Sequence, residues 1–332
     1  MQTMKIQPES ADTEATRAIE QLADIPAPYS AVTPSTETRY QQALTQADNY
    51  HREHNPVYAR LFNACPSPVI PAGLFNDICP AIPADDNNTG HIQRAMKTIL
   101  RENGLTTTTP SRFLLLSDGL ITAVRDSDTA IFPELALFAP VKECICTVSA
   151  DGNTDAALAW SVLKRWAQES DPVYIFGLTH HMEHLAQHCP EPFLLKGTVK
   201  GLTGRGQHID RPAVTGKLQL TLRAASTDLH EIYSAPEHPL HYISCKEGHF
   251  HIPAFARFAL IGEDGNPAAP GKRGLLQLET PLLTRLSAQR LLIMDECEQG
   301  TGCPCGCTLP WIHYHHTVIS PENHCVANEP AV

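Results

Sequence analysis

Two short segments carry the side chains best suited to hold a metal ion. One is Cys245-Lys-Glu-Gly-His-Phe-His251 and the other is Cys303-Pro-Cys305-Gly-Cys307. Zinc takes four soft or borderline ligands in a tetrahedron, and two hairpin-like turns giving two ligands each would build that site. The preferred set is Cys245, His251, Cys303 and Cys305. His249 and Cys307 compete for places in it, since His249 and His251 share one face of an alternating strand. Four protein ligands leave no open position for water, so the site is expected to be structural.

Composition limits what can surround these residues. The chain has 332 residues, enough for one large domain or two of ordinary size. Apolar residues make up 42% and charged ones 18%, which suits a sizeable core. The formal net charge is -11 and no stretch concentrates Lys and Arg. Nonspecific nucleic-acid binding needs a basic surface to displace counterions, so nucleic acid is not expected as a partner. Any phosphate site must instead be built locally from backbone N–H groups, a metal ion or single cations. Eleven cysteines are an odd number and no disulfide scaffold for a chain of this length. In a reducing compartment the clustered ones read as metal ligands or as a reactive thiol. The N-terminal MQTMKIQPESADTEATRAIE lacks the apolar run of a signal peptide or anchor. No membrane span is therefore expected, and a cytosolic location is the default.

Periodicity places the elements. Residues 1–36 read as an extended lead-in, because PAPYSAVTPSTET is rich in turn formers. A polar helix follows, which Asn55-Pro56 should break or restart. The stretch CPSPVIPAGLFNDICPAIPADDNN has too many prolines for anything but loop and short turns. Further on, HIQRAMKTILREN, DAALAWSVLKRWAQE and THHMEHLAQHC read as helices, while FLLLS, PVYIFGL and FLLKGTV read as strands. Strands alternating with helices predict an α/β sheet that binds ligands at its carboxyl ends. After about residue 240 the pattern turns β-rich, in HYISC, HFHIPAFARFALIG, RGLLQLETPL and QRLLIMD. The expected division is an α/β core over 37–240 and a β-rich, zinc-binding portion with a C-terminal tail over 241–332.

An ordered series of motifs from about Pro26 to Cys325 resembles the acyl-protein synthetase family of bacterial luciferase systems. That family is itself similar to phenylacetate–CoA ligase and other adenylate-forming enzymes. The segments that carry the resemblance are YHREHNPVYARLF, LFNDICPAIP, ENGLTTTTPSRFLLLS, IFGLTHHMEHLAQHC, KGTVKGLTGR, EIYSAPEH, LLIMDECEQG and the tail ENHCVANEPAV. The fold it implies is α/β, like the N-terminal domain of adenylate-forming enzymes: mixed sheets with helices and a β-rich C-terminal portion. The resemblance implies that Thr106, Thr107, Thr108, Thr109, Ser111 and Arg112 hold ATP phosphates through hydroxyls and backbone N–H groups. By the same likeness Lys200 pairs with a phosphate or carboxylate, and Tyr233 stacks near adenine. It also implies that Glu237 coordinates Mg²⁺ or orients the phosphates, and that Glu296, with Asp295 adjacent, grips the ribose.

Cys325, seven residues from the C-terminus, matches a cysteine that takes the acyl group as a thioester in that family. A thiolate is a strong nucleophile, and a tail can carry it between sites. The implied reaction turns a carboxylic acid, a fatty or similar one, and ATP·Mg²⁺ into acyl-AMP and pyrophosphate. Cys325 or an external thiol then takes the acyl group, for delivery to an acyl-accepting protein such as a reductase. The chain departs from the family at the phosphate loop, which lacks a glycine, and at Val199, where a tryptophan is usual. Ser234, Ala235 and Pro236 also differ, and His315-His316 replaces Gly-Arg. Two other readings stand beside the first: an inactive relative acting as a binding or regulatory subunit, and an ATP-independent cysteine acyltransferase.

Overall fold

The computed structural model describes residues 17–65, 68–72, 90–116, 135–148, 154–204, 210–224, 226–235, 238–269, 271–283 and 289–317. Helices α1 (Arg17–Ala23), α2 (Pro34–His54) and α3 (Pro56–Ala64) come first. Strand β1 (Ile70–Pro71) and helix α4 (Gly90–Glu102) follow. The middle of the chain holds β2 (Ser111–Leu115), β3 (Val141–Cys146), α5 (Ala156–Trp166), β4 (Val173–Leu178), α6 (Thr179–Gln187), β5 (Val199–Gly204), α7 (Arg211–Leu222), β6 (Thr227–Ala235) and β7 (His238–Ile243). The last part is all strand: β8 (Phe250–His251), β9 (Arg257–Ile261), β10 (Gly274–Glu279), β11 (Arg290–Gly300) and β12 (Trp311–Thr317).

The strands make two sheets. The first has the order β3-β2-β4-β5-β6-β7, parallel except for the antiparallel edge strand β7. Its central strands β2 and β4 are buried on both faces, as in a covered parallel sheet. Leu114, Leu116, Val173 and Ile175 pack under α5, α6 and α7. The alternate residues Phe113, Leu115, Tyr174 and Phe176 turn to a second cluster that continues into the other sheet. That sheet has the order β8-β12-β11-β10-β9, antiparallel, with β1 alongside β11 in parallel. One apolar core therefore runs between the two sheets.

Sequence and structure differ in three places. Residues 17–23 of the expected lead-in are helical, because Ala18, Ile19 and Leu22 form a buried stripe. FLLKGTV was expected as one strand, but β5 begins only at Val199. Phe193 and Leu195 donate their N–H groups to Thr221 and Leu222 at the end of α7. A Cβ on Gly197 would lie 2.0 Å from the carbonyl oxygen of Asp171, so the chain passes too close for a side chain there. The third difference concerns the expected 37–240 unit, since its first helices dock on the second sheet. Tyr40 donates to Glu279 at 2.8 Å, and Arg290 holds Asp48 at 3.2 and 3.3 Å and Glu279 at 2.7 Å. HYISC conversely contributes its first residues to β7, the edge of the first sheet.

The break at Asn55-Pro56 has a local cause. The Asn55 side chain accepts the N–H groups of Val57 and Tyr58, capping α3 just where α2 ends, and Pro56 fits the first helical position.

Two predictions follow from this packing. Asp48→Ala leaves Arg290 short of a partner in a site where the arginine side chain is 8% exposed. Because Glu279 still pairs with Arg290, it should cost about 1–3 kcal/mol of stability, measured by urea unfolding. Burial also holds His51, His238 and His241 at about 4. Unfolded imidazoles titrate near 6.5, so the unfolded chain takes up protons that the folded chain refuses. Stability should be complete above about pH 6.5 and decline toward pH 4, giving a lower urea midpoint at pH 5 than at pH 7.

Candidate active site and metal centre

At the amino ends of the parallel strands lie most of the residues expected to bind phosphate. Thr106–Thr109 precede β2; the Thr107 N–H donates to Phe138 O, and the Thr107 hydroxyl accepts the Thr109 N–H. Ser111 donates its hydroxyl to Thr109 O. Arg112 is buried among three carboxylates, at 2.6 Å from Glu169, 3.1 Å from Asp171 and 3.2 Å from Glu143. Its guanidinium also lies over the Trp166 ring, whose N–H donates to Glu143 at 2.7 Å. Lys142, and after it Arg112, hold the Glu169 carboxyl below the usual range. With its donors engaged in this way, Arg112 ties β2, β3 and the 169–171 loop together. Half-buried Lys200, the second residue of β5, donates to Gly104 O. Burial lowers its pKa, against an opposing pull from Asp228.

Tyr233 belongs to the other end. Lys200 is level with Asp228, and Tyr233 lies five residues further along β6, about 16 Å at the usual rise per residue. The structure therefore does not bring Thr106–Thr109, Arg112 and Lys200 together with Tyr233. Open α/β sheets bind ligands at the carboxyl ends of their strands. Segments 117–134, 205–209 and 236–237, which follow β2, β5 and β6 at that end, lie outside the described residues. So do Glu237 and Cys325.

Tyr233 is buried among the rings of Tyr242, Phe250 and Tyr314, with centroids 5.8 to 6.3 Å away. Its hydroxyl crosses to the second sheet and donates to Asp295 at 2.6 Å. The Thr317 hydroxyl donates to the other Asp295 oxygen, also at 2.6 Å. The two acidic residues expected near the ribose take different surroundings. Strand alternation turns Asp295 inward with Leu291, Ile293 and Cys297, while Glu296 faces outward toward Arg273 and His316, at 3.4 and 3.7 Å. The carboxylate that meets Tyr233 is Asp295. At the foot of α6, His181 accepts the Leu178 N–H at 3.1 Å and closes the first helical turn.

The four expected metal ligands do converge. Ligand atoms of Cys245, His251, Cys303 and Cys305 all lie within 4.8 Å of one another. Two tight turns build the cluster, with Gly248 and Gly306 at φ 84° and 96°, where a side chain would be strained. His251 brings Nε2 to 3.2 Å from Cys305 Sγ and turns Nδ1 to Leu309 O at 3.3 Å, an outer contact that fixes its tautomer. The Cys307 N–H points at Cys305 Sγ. Cys307 itself faces Tyr29 O, and His249 lies 3.3 Å from Cys303 Sγ, its ring stacked on Trp311. Three thiols and an imidazole in this arrangement fit a tetrahedral zinc ion.

Neither a protein-family model nor a curated protein matches the sequence. Solved structures do match in fold. 2-Hydroxyisobutyryl-CoA ligase in an open conformation with 2-HIB-AMP and CoA aligns over 84% of this chain and 69% of its own, at 14% identity and TM-score 0.58. The same ligase in its thioesterification state aligns over 87% and 70%, at 14% identity and TM-score 0.59. Its postadenylation state with R3-HIB-AMP aligns over 95% and 72%, at 14% identity and TM-score 0.57. The chain thus has the mixed α/β fold of the adenylate-forming enzymes. Among the described residues no helix is long and apolar enough to cross a membrane.

Purified protein is expected to carry one zinc ion per chain, as read by elemental mass spectrometry. Cys245→Ser and Cys303→Ser should each lose most of it, while His249→Ala should keep it. Zinc lost from His249→Ala and kept in a His251→Ala variant would assign the imidazole ligand to His249 instead.

Proposed function

We propose that the chain activates a carboxylic acid as an acyl-adenylate at the carboxyl end of the parallel sheet and passes the acyl group to a thiol. The fold carries this reading. It is shared with a ligase whose structures hold 2-HIB-AMP and CoA, which are an adenylate and a thiol. The meeting of Tyr233 and Asp295 at the carboxyl end, where such folds bind ligands, supports it.

In the first step a carboxylate oxygen attacks the α-phosphorus of ATP and pyrophosphate leaves. Mg²⁺ supplies the positive charge that offsets the crowded phosphate oxygens. Glu237 is the residue to hold it, and Tyr233 with Asp295 the pair to stand beside the nucleoside. In the second step a thiolate attacks the acyl carbon and AMP leaves. Cys325 is the proposed thiol of this chain, with an acyl-accepting protein such as a reductase as the next acceptor. Fatty acids are the substrates that the family resemblance implies. Lys200 and the Thr106–Thr109 run support the amino end of the sheet in this scheme, and the Cys/His cluster holds a structural zinc. A second reading, a binding or regulatory subunit, draws on the engaged donors of Arg112 and the enclosed ring of Tyr233.

Carboxylate-dependent ATP–pyrophosphate exchange separates these readings. Wild-type protein should catalyse exchange with at least one acid in a panel of fatty, aromatic and hydroxylated acids. Glu237→Ala should lose it by at least about 100-fold, as expected when a group that stabilises the transition state is removed. Cys325→Ala should retain exchange and lose only acyl labelling of the protein. Folded, zinc-loaded protein with no exchange for any acid would favour the noncatalytic reading.

A further inference from the structure

The β6–β7 hairpin leaves several buried hydrogen-bonding groups without protein partners. Among the described residues, neither ring nitrogen of His238 makes a hydrogen bond of normal geometry, the carbonyls of Leu240 and of His238 itself lying nearby, and the Tyr242 hydroxyl and Nδ1 of His241 have no partner. His238 and Tyr242 are fully buried, and their rings lie 5.9 Å apart at 27°. Buried polar side chains nearly always find a partner, so three on one short strand call for a physical explanation. Their position offers one. His238 opens β7, at the end of the sheet where α/β folds bind ligands. The pairing of β6 with β7 is also irregular there, moving from Tyr233 opposite Tyr242 to Ala235 opposite His238. Such irregularities re-aim side chains and gather beside active sites.

We infer that His238 and Tyr242 contact the acid substrate and select one bearing its own hydrogen-bonding group, a hydroxyl, keto or amide, over an unsubstituted fatty chain. The inference rests on the acyl-activation reading and names the substrate class of that site. A neutral imidazole offers one donor and one acceptor, and a phenol offers both. Burial keeps His238 neutral at pH 7, so the pair suits an uncharged polar group better than a second anion. Methylenes packed against these atoms would leave them unpaired in the complex too, whereas a hydroxyl would pair with them. A site made to bond a substrate hydroxyl rejects the analogue without it far more sharply than an apolar pocket rejects an added hydroxyl.

The test compares matched acids in the exchange assay, namely propionate with lactate, hexanoate with 2-hydroxyhexanoate and with 6-hydroxyhexanoate, and phenylacetate with 4-hydroxyphenylacetate. Wild-type protein should favour the best hydroxylated acid over its partner by roughly 10- to 100-fold in kcat/KM. His238→Leu should bring that ratio close to one. The same variant should raise the Tm of the free protein by about 2–4 °C, because an unpaired buried polar group has been removed. Tyr242→Phe, a smaller change, should lower the ratio in the same direction. Wild-type protein that prefers the unsubstituted acids overturns the inference and leaves acyl activation standing. A ratio unchanged in both variants, or a lower Tm in His238→Leu with Tyr242→Phe unaltered, overturns it as well. Exchange with no acid at all removes the acyl-activation reading and this inference with it.

Discussion

The seam between the two sheets depends on one buried carboxylate. Asp295 is inaccessible to solvent, and an isolated carboxylate in such a place costs several kcal/mol. It is tolerated because two hydroxyls, from Tyr233 on the first sheet and Thr317 on the second, each donate to it at 2.6 Å. Hydrogen bonds to a charged acceptor are among the stronger ones in proteins. Sliding the sheets would break the bond from Tyr233 and leave the buried carboxyl short of a donor. The rings around Tyr233 reinforce this, since Tyr242 comes from the first sheet while Phe250 and Tyr314 come from the second. Relative placement of the sheets is thus fixed by polar chemistry within an apolar core.

The two ends of the parallel sheet are treated differently. At the amino end, Arg112 has a carboxylate at each of three positions, and Lys142 and Arg165 add further ion pairs. At the carboxyl end, His238 and Tyr242 are buried with hydrogen-bonding atoms unused.

Much of the fold was legible because strong local signals coincide with it. Val173–Leu178 is a continuous apolar run ended by a helix, and both of its faces are covered. Asn55-Pro56 divides α2 from α3 through a cap that the two residue types dictate. The Cys/His cluster was legible because a tetrahedral metal site would draw on few side-chain types and tight turns bring near neighbours together. The residues expected to bind phosphate were less so, since a threonine run beside an arginine reads alike at either end of a strand. Only the register of β2, β4 and β5 shows which end it occupies. Asp295 was within reach of the pattern: Leu291, Ile293, Asp295 and Cys297 alternate as one inward set, which separates it from Glu296. His238 left no such trace, because its unused nitrogens follow from packing across elements distant in the chain.

The docking of α2 on the second sheet has a consequence for synthesis on the ribosome. Tyr40 waits for Glu279 and Asp48 for Arg290, separations of 239 and 242 residues. At ordinary elongation rates that delay is roughly 10–50 s. The parallel sheet, whose strands lie between Ser111 and Ile243, emerges whole within this interval. Its nascent form must therefore coexist with an N-terminal segment whose apolar stripe is covered only in part, by α1, an exposure during which a holding chaperone would have something to bind.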